Sequence, residues 1–243
     1  MLVIGAAEVW AGGWAFAIGV WIVGGLMIWE LTRMMAPDTR ALRIGMGILA
    51  AAALALSWVG PGIVVLPVLV GAAALGASQM PRDRALYLIY GSAILLGCHA
   101  MEMLREFAGL LWILWVICVV ILSDVAGYFA GKTFGGPKFW PSISPKKTWS
   151  GTIAGWIGAA LAGAVFGVLT GAGAVLIVVS VIVGLAGQMG DIAESALKRR
   201  MQIKDSSSLI PGHGGVLDRF DAMLAAALAA ALMWGLGVLP GLT

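Results

Sequence analysis

An all-α, polytopic bundle of transmembrane helices is the fold this sequence predicts, and three observations predict it. Charged residues are 11% of the 243-residue chain, against roughly a quarter in soluble globular domains. Hydrophobic residues reach 61%, with a mean hydropathy of +1.00. The apolar residues come in runs long enough to cross a bilayer, separated by short polar stretches. A soluble fold could not cover so much apolar surface with so few charges. Disorder, collagen and coiled coils fail on the same composition. A disulfide scaffold is excluded because Cys98 and Cys118 are the only thiols and both lie in apolar runs.

A helix needs about 20 mostly apolar residues to cross roughly 30 Å of hydrocarbon. On that measure about eight spans are expected, at 9–28, 42–59, 63–77, 86–103, 107–129, 151–170, 172–189 and 222–239. No basic residue precedes Val9, so the first run reads as a span and not as a cleavable signal peptide. Gly60-Pro61-Gly62 joins the second and third spans as a tight helical hairpin. Glycines spaced by four, Gly151/Gly155 and Gly163/Gly167/Gly171, suit close helix packing in lipid. His99, alone in the fourth span, is expected to satisfy an interhelical hydrogen bond. Residues 1–106 then form an N-terminal set of transmembrane helices. Residues 107–243 form a catalytic region with two long polar loops, 130–150 and 190–221.

The basic residues are shared unevenly. Of the 15 Lys and Arg, 14 fall in alternate loops. Arg33, Arg40 and Arg43 follow the first span, and Arg82 and Arg84 the third. Lys132, Lys138, Lys146 and Lys147 follow the fifth. Lys198, Arg199, Arg200, Lys204 and Arg219 follow the seventh. Arg105 alone is on the other side. The positive-inside rule then faces these loops to the cytoplasm and leaves both termini outside. The protein is expected in the cytoplasmic (inner) membrane, with its chemistry at the cytoplasmic boundary. No nucleic-acid partner is expected.

That chemistry concentrates in the last loop. Asp218 and Asp221 are three apart, so on a helix they share one face. Asp191 stands at the inner mouth of the seventh span. Three carboxylates at one depth, ringed by cations, repel each other unless a hard cation joins them. Mg²⁺ suits such a set, since it binds one or two carboxylates and completes its shell with water and phosphate oxygens. No Cys/His cluster offers a softer site. A membrane-buried carboxylate is costly, which marks Asp124 and Asp191 at span ends as residues with a task. A transporter with a carboxylate-lined pathway is the rival reading. It predicts ionisable groups near mid-membrane, whereas here all but His99 lie at span ends.

The segment Ser195-x-x-Lys198-Arg199, then Lys204-Asp205, then His213-Gly214-Gly215-x-x-Asp218-Arg219-x-Asp221 resembles the signature of the phosphatidate cytidylyltransferases (CDP-diacylglycerol synthases). Two shorter blocks resemble the same family: Ser123-Asp124 with Tyr128-Phe129, Gly131 and Lys132, and Ser144-Pro145-Lys146-Lys147-Thr148. The resemblance covers about 110–239.

It implies transfer of CMP from CTP to phosphatidate, giving CDP-diacylglycerol and pyrophosphate with a divalent metal. Asp191, Asp218 and Asp221 would hold Mg²⁺, and relatives implicate K⁺ as a second cation. Lys204 and Arg219 join these aspartates as catalytic residues, and an arginine fork suits Arg219 to a phosphate. Ser144, Lys146, Lys147, Thr148, Lys198, Arg199, His213, Gly214, Gly215 and Asp124 would contact the substrates. His213 remains either an acid–base group or part of a phosphate-binding glycine turn. Asp124 remains either a group beside the metal or a helix–helix contact. Relatives form homodimers. Transfer to another lipid phosphate, such as an ether-linked isoprenoid phosphatidate, is the nearest alternative.

Overall fold

The computed structural model describes residues 2–210, 212 and 214–239. His213 therefore lies outside the described residues. The helices are α1 (Leu2–Ala11), α2 (Gly13–Met35), α3 (Arg40–Val59), α4 (Gly62–Ser78) and α5 (Arg84–Met103). A π-helical turn (Leu104–Ala108) follows, then α6 (Leu110–Phe134), β1 (Lys138–Trp140) and β2 (Ser144–Thr148). The chain closes with α7 (Trp149–Leu169), α8 (Val175–Arg200) and α9 (Leu217–Gly235).

Each of the eight expected spans is largely helical, but among the described residues six helices are long and apolar enough to cross a membrane: α2, α3, α5 with its π turn, α6, α7 and α8. The two that fall short do so for visible reasons. The α4 helix has only 17 residues. The α9 helix carries Asp218, Arg219 and Asp221 in its opening turn, so its apolar stretch starts at Ala222. Other boundaries also shift. Gly12 and Gly13 both take positive φ and break the first run into α1 and α2, a conformation glycine adopts without steric penalty. The α8 helix continues past Met189 to Arg200. Its Asp191-to-Arg200 end is rich in Ala, Glu, Leu, Lys and Arg, which are strong helix formers. Much of the expected 190–221 loop is therefore helix.

Large side chains such as Trp115, Tyr87 and Leu31 fill the core, and α7 packs through small residues while its large ones face outward. On α7, Gly151, Gly155, Ala159, Ala162 and Gly163 face neighbouring helices, while Ile153, Ile157, Leu161, Val165 and Val168 are exposed. The α6–α7 contact depends on this. A Cβ on Gly151 would sit 2.6 Å from the Gly127 carbonyl oxygen, so only glycine permits the approach. Inside, several polar groups are paired across helices. Trp115 donates to Ser180 (2.8 Å), and Thr32 Oγ1 meets Tyr87 Oη at 2.8 Å. His99 Nδ1 lies 3.3 Å from Ser57 on α3, the interhelical contact expected of it.

One end of the bundle gathers the polar segments. The antiparallel β1–β2 hairpin lies there, and sequence reading had expected only loop. Two contacts knit this end together: Arg33 reaches the Ser206 carbonyl (3.4 Å), and Arg200 pairs with Asp83 (2.5 Å). At the opposite end Arg105 donates to the Val9 and Trp10 carbonyls.

Candidate active site

Two cavities open at the hairpin end, and Lys146 borders both. The larger, about 400 Å³, lies among α6, β2, α7 and α8. Asp124, Gly127 and Tyr128 line it from α6, Lys146, Lys147 and Thr148 from β2, and Gln188 and Asp191 from α8. Its geometry starts from local sequence. Thr148 caps α7, accepting from the Gly151 amide (3.2 Å), so the strand must turn into the helix at that residue. This aims Lys147 across the cavity, where its ammonium pairs with Asp191 Oδ2 at 2.6 Å. Gln188, buried one turn earlier on α8, donates to Ser123 Oγ and the Thr152 carbonyl and accepts from Trp156 Nε1. One amide thus fixes α6, α7 and α8 relative to each other.

The smaller cavity, about 230 Å³, lies between β2 and the end of α8. Ser144, Pro145 and Lys146 form one wall, and Ser195, Lys198, Arg199, Lys204 and Asp205 complete it. Four of these are cations and one is an acid, so the cavity is electropositive. Lys198 is held rigidly: its ammonium bonds Glu194 Oε2 (2.6 Å) and Asp218 Oδ1 (2.5 Å). Asp218 is itself saturated, because Oδ2 accepts from Gly215 N (2.8 Å), Ser206 N (3.0 Å) and Ser206 Oγ (2.9 Å). Burial alone would raise the Asp218 pKa. The Lys198 bond and the Gly215 and Ser206 amides outweigh it and bring the carboxyl down to about 2.

Asp221 is the opposite case. Burial, then repulsion from Asp191, push its carboxyl up to about 6, against the help of the Ala222 amide (2.7 Å). Asp191 also repels Asp124, which lines the larger cavity with it, while Asp221 is not a lining residue of either cavity. Among the described residues no three acid, His or Cys groups stand close enough to form a ready-made metal cluster. The donor set fits a hard cation beside Asp191 and Asp221, whose carboxylates repel each other, and a cation on Asp191 Oδ2 would displace the Lys147 ammonium. Asp218 fits less well, since a metal there would displace Lys198 from Oδ1.

Of the residues singled out from sequence, Asp124, Lys147, Thr148 and Asp191 meet at the larger cavity. Ser144, Lys198, Arg199 and Lys204 meet at the smaller. Arg219 is exposed in the first turn of α9. Gly214 has a positive φ and pairs with Ile210 in a short bridge. The Gly215 amide is spent on Asp218, so this part of the turn serves the protein's own carboxylate. Gln188, Glu194 and Glu30 were not foreseen. The first two lie within or beside the signature and are betrayed only by spacing on α8; Glu30 carries no local sequence signal.

These features define a polytopic helical membrane protein with cations and acids gathered around two adjoining cavities at one end of its bundle. The model of the cytidylyltransferase family matches residues 1–236, and the chain belongs to that family. It is 35% identical over 226 residues to a phosphatidate cytidylyltransferase of Brucella suis, covering 90% of this chain and 83% of that one. A phosphatidate cytidylyltransferase of Rickettsia bellii is 34% identical, covering 70% and 79%. One from Helicobacter pylori is 43% identical over a shorter stretch, 49% and 46% of the two chains.

Proposed function

We propose that this chain is a phosphatidate cytidylyltransferase. It transfers the cytidylyl group of CTP to the phosphate of phosphatidate, giving CDP-diacylglycerol and pyrophosphate. One observation carries the reading: two lysine-lined cavities share a wall at Lys146, and the larger also holds Asp124 and Asp191. Two phosphorylated substrates must be brought together, and each needs charge neutralised where it reacts. Lys146, Lys198, Arg199 and Lys204 bind the triphosphate, with Ser144 beside them. Lys147 and Thr148 orient the second phosphate at the larger cavity, near Asp124.

A lipid phosphate oxygen attacks the α-phosphorus of CTP, and the bond to the β-phosphate oxygen breaks, releasing pyrophosphate. A phosphate monoester has a second pKa near 6, so the nucleophile is largely dianionic at neutral pH and no general base is required. Asp191 and Asp221 would hold Mg²⁺, which when bound would neutralise charge on the reacting phosphates; K⁺ is the second cation to test. In the cell the chain crosses the inner membrane eight times, with both termini outside and the cavities facing cytosolic CTP. The positive loops support this orientation.

The test is pyrophosphate release by protein purified in detergent, with CTP, phosphatidate and Mg²⁺ supplied singly and together. Release should require all three, and Asp191→Asn should lower it at least about 100-fold. Pyrophosphate formed without lipid, or equal activity in the variant, overturns the assignment. A preference for ether-linked isoprenoid phosphatidate over the diacyl lipid would reassign the substrate and keep the chemistry.

A further inference from the structure

Glu30 belongs to no motif and lies in α2, far from the signature in sequence. Its side chain is fully buried. It is nonetheless bonded to the signature from both oxygens. Oε1 accepts from Ser207 Oγ (2.5 Å) and the Val216 amide (2.9 Å). Oε2 accepts from the Leu217 amide (2.7 Å) and stands 3.2 Å from Ser206 Oγ. Donors from Ser206, Ser207, Val216 and Leu217 thus converge on both oxygens of this one side chain.

The amides concerned open α9, where backbone N–H groups have no partner within the helix. Val216 occupies the N-cap position and contributes no side-chain bond there, being apolar. Glu30 supplies the missing cap from another helix, and its negative charge suits the positive end of the helix dipole. Two neighbours reinforce the junction. Arg33, one turn along α2, donates to the Ser206 carbonyl at 3.4 Å. Gly215 is the only residue type that fits between: a Cβ would stand against Ser206 Oγ and 2.5 Å from Glu30 Oε1.

The same segment presents Asp218 to Lys198. Ser206 Oγ lies between Glu30 Oε2 and Asp218 Oδ2, its single hydrogen serving one carboxylate at a time. We propose that Glu30 is a positioning residue: it fixes Ser206, Ser207, Val216 and Leu217, and through Asp218 fixes the Lys198 ammonium in the electropositive cavity. It lines neither cavity. The N-terminal helices are thereby coupled to the chemistry they contribute no motif to. The kinetic part of this inference rests on the cytidylyltransferase reading; the structural part does not.

Glu30→Gln keeps the size of the side chain and turns one acceptor oxygen into an amide nitrogen facing donors. Lost charge-assisted hydrogen bonds correspond to about 10–100-fold in an equilibrium or rate. Expected is a kcat about 10–100-fold lower, with the KM for CTP raised as Lys198 loosens and the KM for phosphatidate changed less than about threefold. Amide hydrogen exchange should quicken in peptides covering 206–217 and stay unchanged over the rest of α2 and α9. Thr32→Val, which removes a buried polar group two residues away on α2, should leave both readouts at wild type. Ser207→Ala keeps Glu30 and removes a buried hydroxyl that donates to Glu30 Oε1 and accepts from the Leu209 amide; it should move both readouts in the Glu30→Gln direction by a smaller factor, with exchange quickening at Val216 and Leu217 as well as at Leu209. If Glu30→Gln does not fold, Ser207→Ala decides. Wild-type exchange and wild-type kcat in the Ser207 and Glu30 variants overturn the proposal. So does an equal loss in Thr32→Val with loosening throughout the bundle, which would make the role one of general stability. If the wild-type protein makes no CDP-lipid, the proposed function fails while the exchange readout still tests the cap.

Discussion

Asp218 and Asp221 stand three residues apart on one helix face and have opposite environments. Asp218 is encircled by donors and stays ionised down to about pH 2. Its stabilising contribution is complete above the unfolded carboxylate value of about 3.9 and is lost as pH falls through 2. Asp221 is buried against Asp191, so its carboxyl is raised to about 6. Its ionisation therefore opposes folding as pH rises from about 4 to 6 and remains a standing cost at neutral pH. A group whose charge weakens the fold is retained for what that charge binds. Asp221→Asn removes the repulsion and keeps the shape. In chelator, the variant should melt at or above the wild-type temperature. Added Mg²⁺ should raise the melting temperature of the wild type alone, by a few degrees at saturation, and the variant's activity should fall at least about 100-fold. A variant that melts several degrees lower in chelator would show that Asp221 is a structural acceptor instead.

Helix by helix, what sequence could reveal depended on whether the signal was local. Hydropathy located all eight apolar segments, because burial in lipid is a property of each run by itself. It misjudged their ends, because the α8 helix continues beyond the apolar stretch on helix propensity, as far as Arg200. The β1–β2 hairpin was hidden by its lysines and prolines, which resemble loop. The signature brought Lys198, Arg199 and Lys204 together in the smaller cavity as a set, since their spacing on and beyond α8 is short. Glu30 was invisible, because nothing near it in sequence distinguishes a lone acid in an apolar helix from any other. The glycine spacing on α7 was readable and has a sharp consequence. Gly151 is buried with the Gly127 carbonyl 2.6 Å from where its Cβ would be. Gly151→Leu must push α6 from α7, an overpacking cost of about 1–3 kcal/mol, and it widens the cavity that both helices line. The expected result is a melting temperature lower by several degrees, with the KM for phosphatidate raised more than that for CTP. Unchanged melting would mean that the two helices are not in contact at this depth.

At the scale of the whole molecule the question is which way the bundle faces. Arg33 with Ser206, Arg200 with Asp83 and Lys147 with Asp191 are three cross-links at the hairpin end. They draw on every loop that carries excess basic charge. The α5 helix runs from Arg84 beside that end to the Arg105 contacts with Val9 and Trp10 at the other, and at 1.5 Å per residue its 20 residues cover about 30 Å, the thickness of a hydrocarbon core. Basic residues near an anionic inner leaflet each gain about 1 kcal/mol, so 14 of 15 at one end is a strong orienting bias. Facing that end inward also places both cavities where CTP is made. Single cysteines report the outcome directly. In a background lacking Cys98 and Cys118, Ser142→Cys on the exposed hairpin turn should react with a membrane-impermeant maleimide only after cells are opened. Glu106→Cys, exposed at the opposite end, should react in intact cells whose outer barrier is permeable. The reverse pattern would put the cavities on the side without CTP and would remove the proposed reaction along with the orientation, because the nucleotide could not reach Lys198.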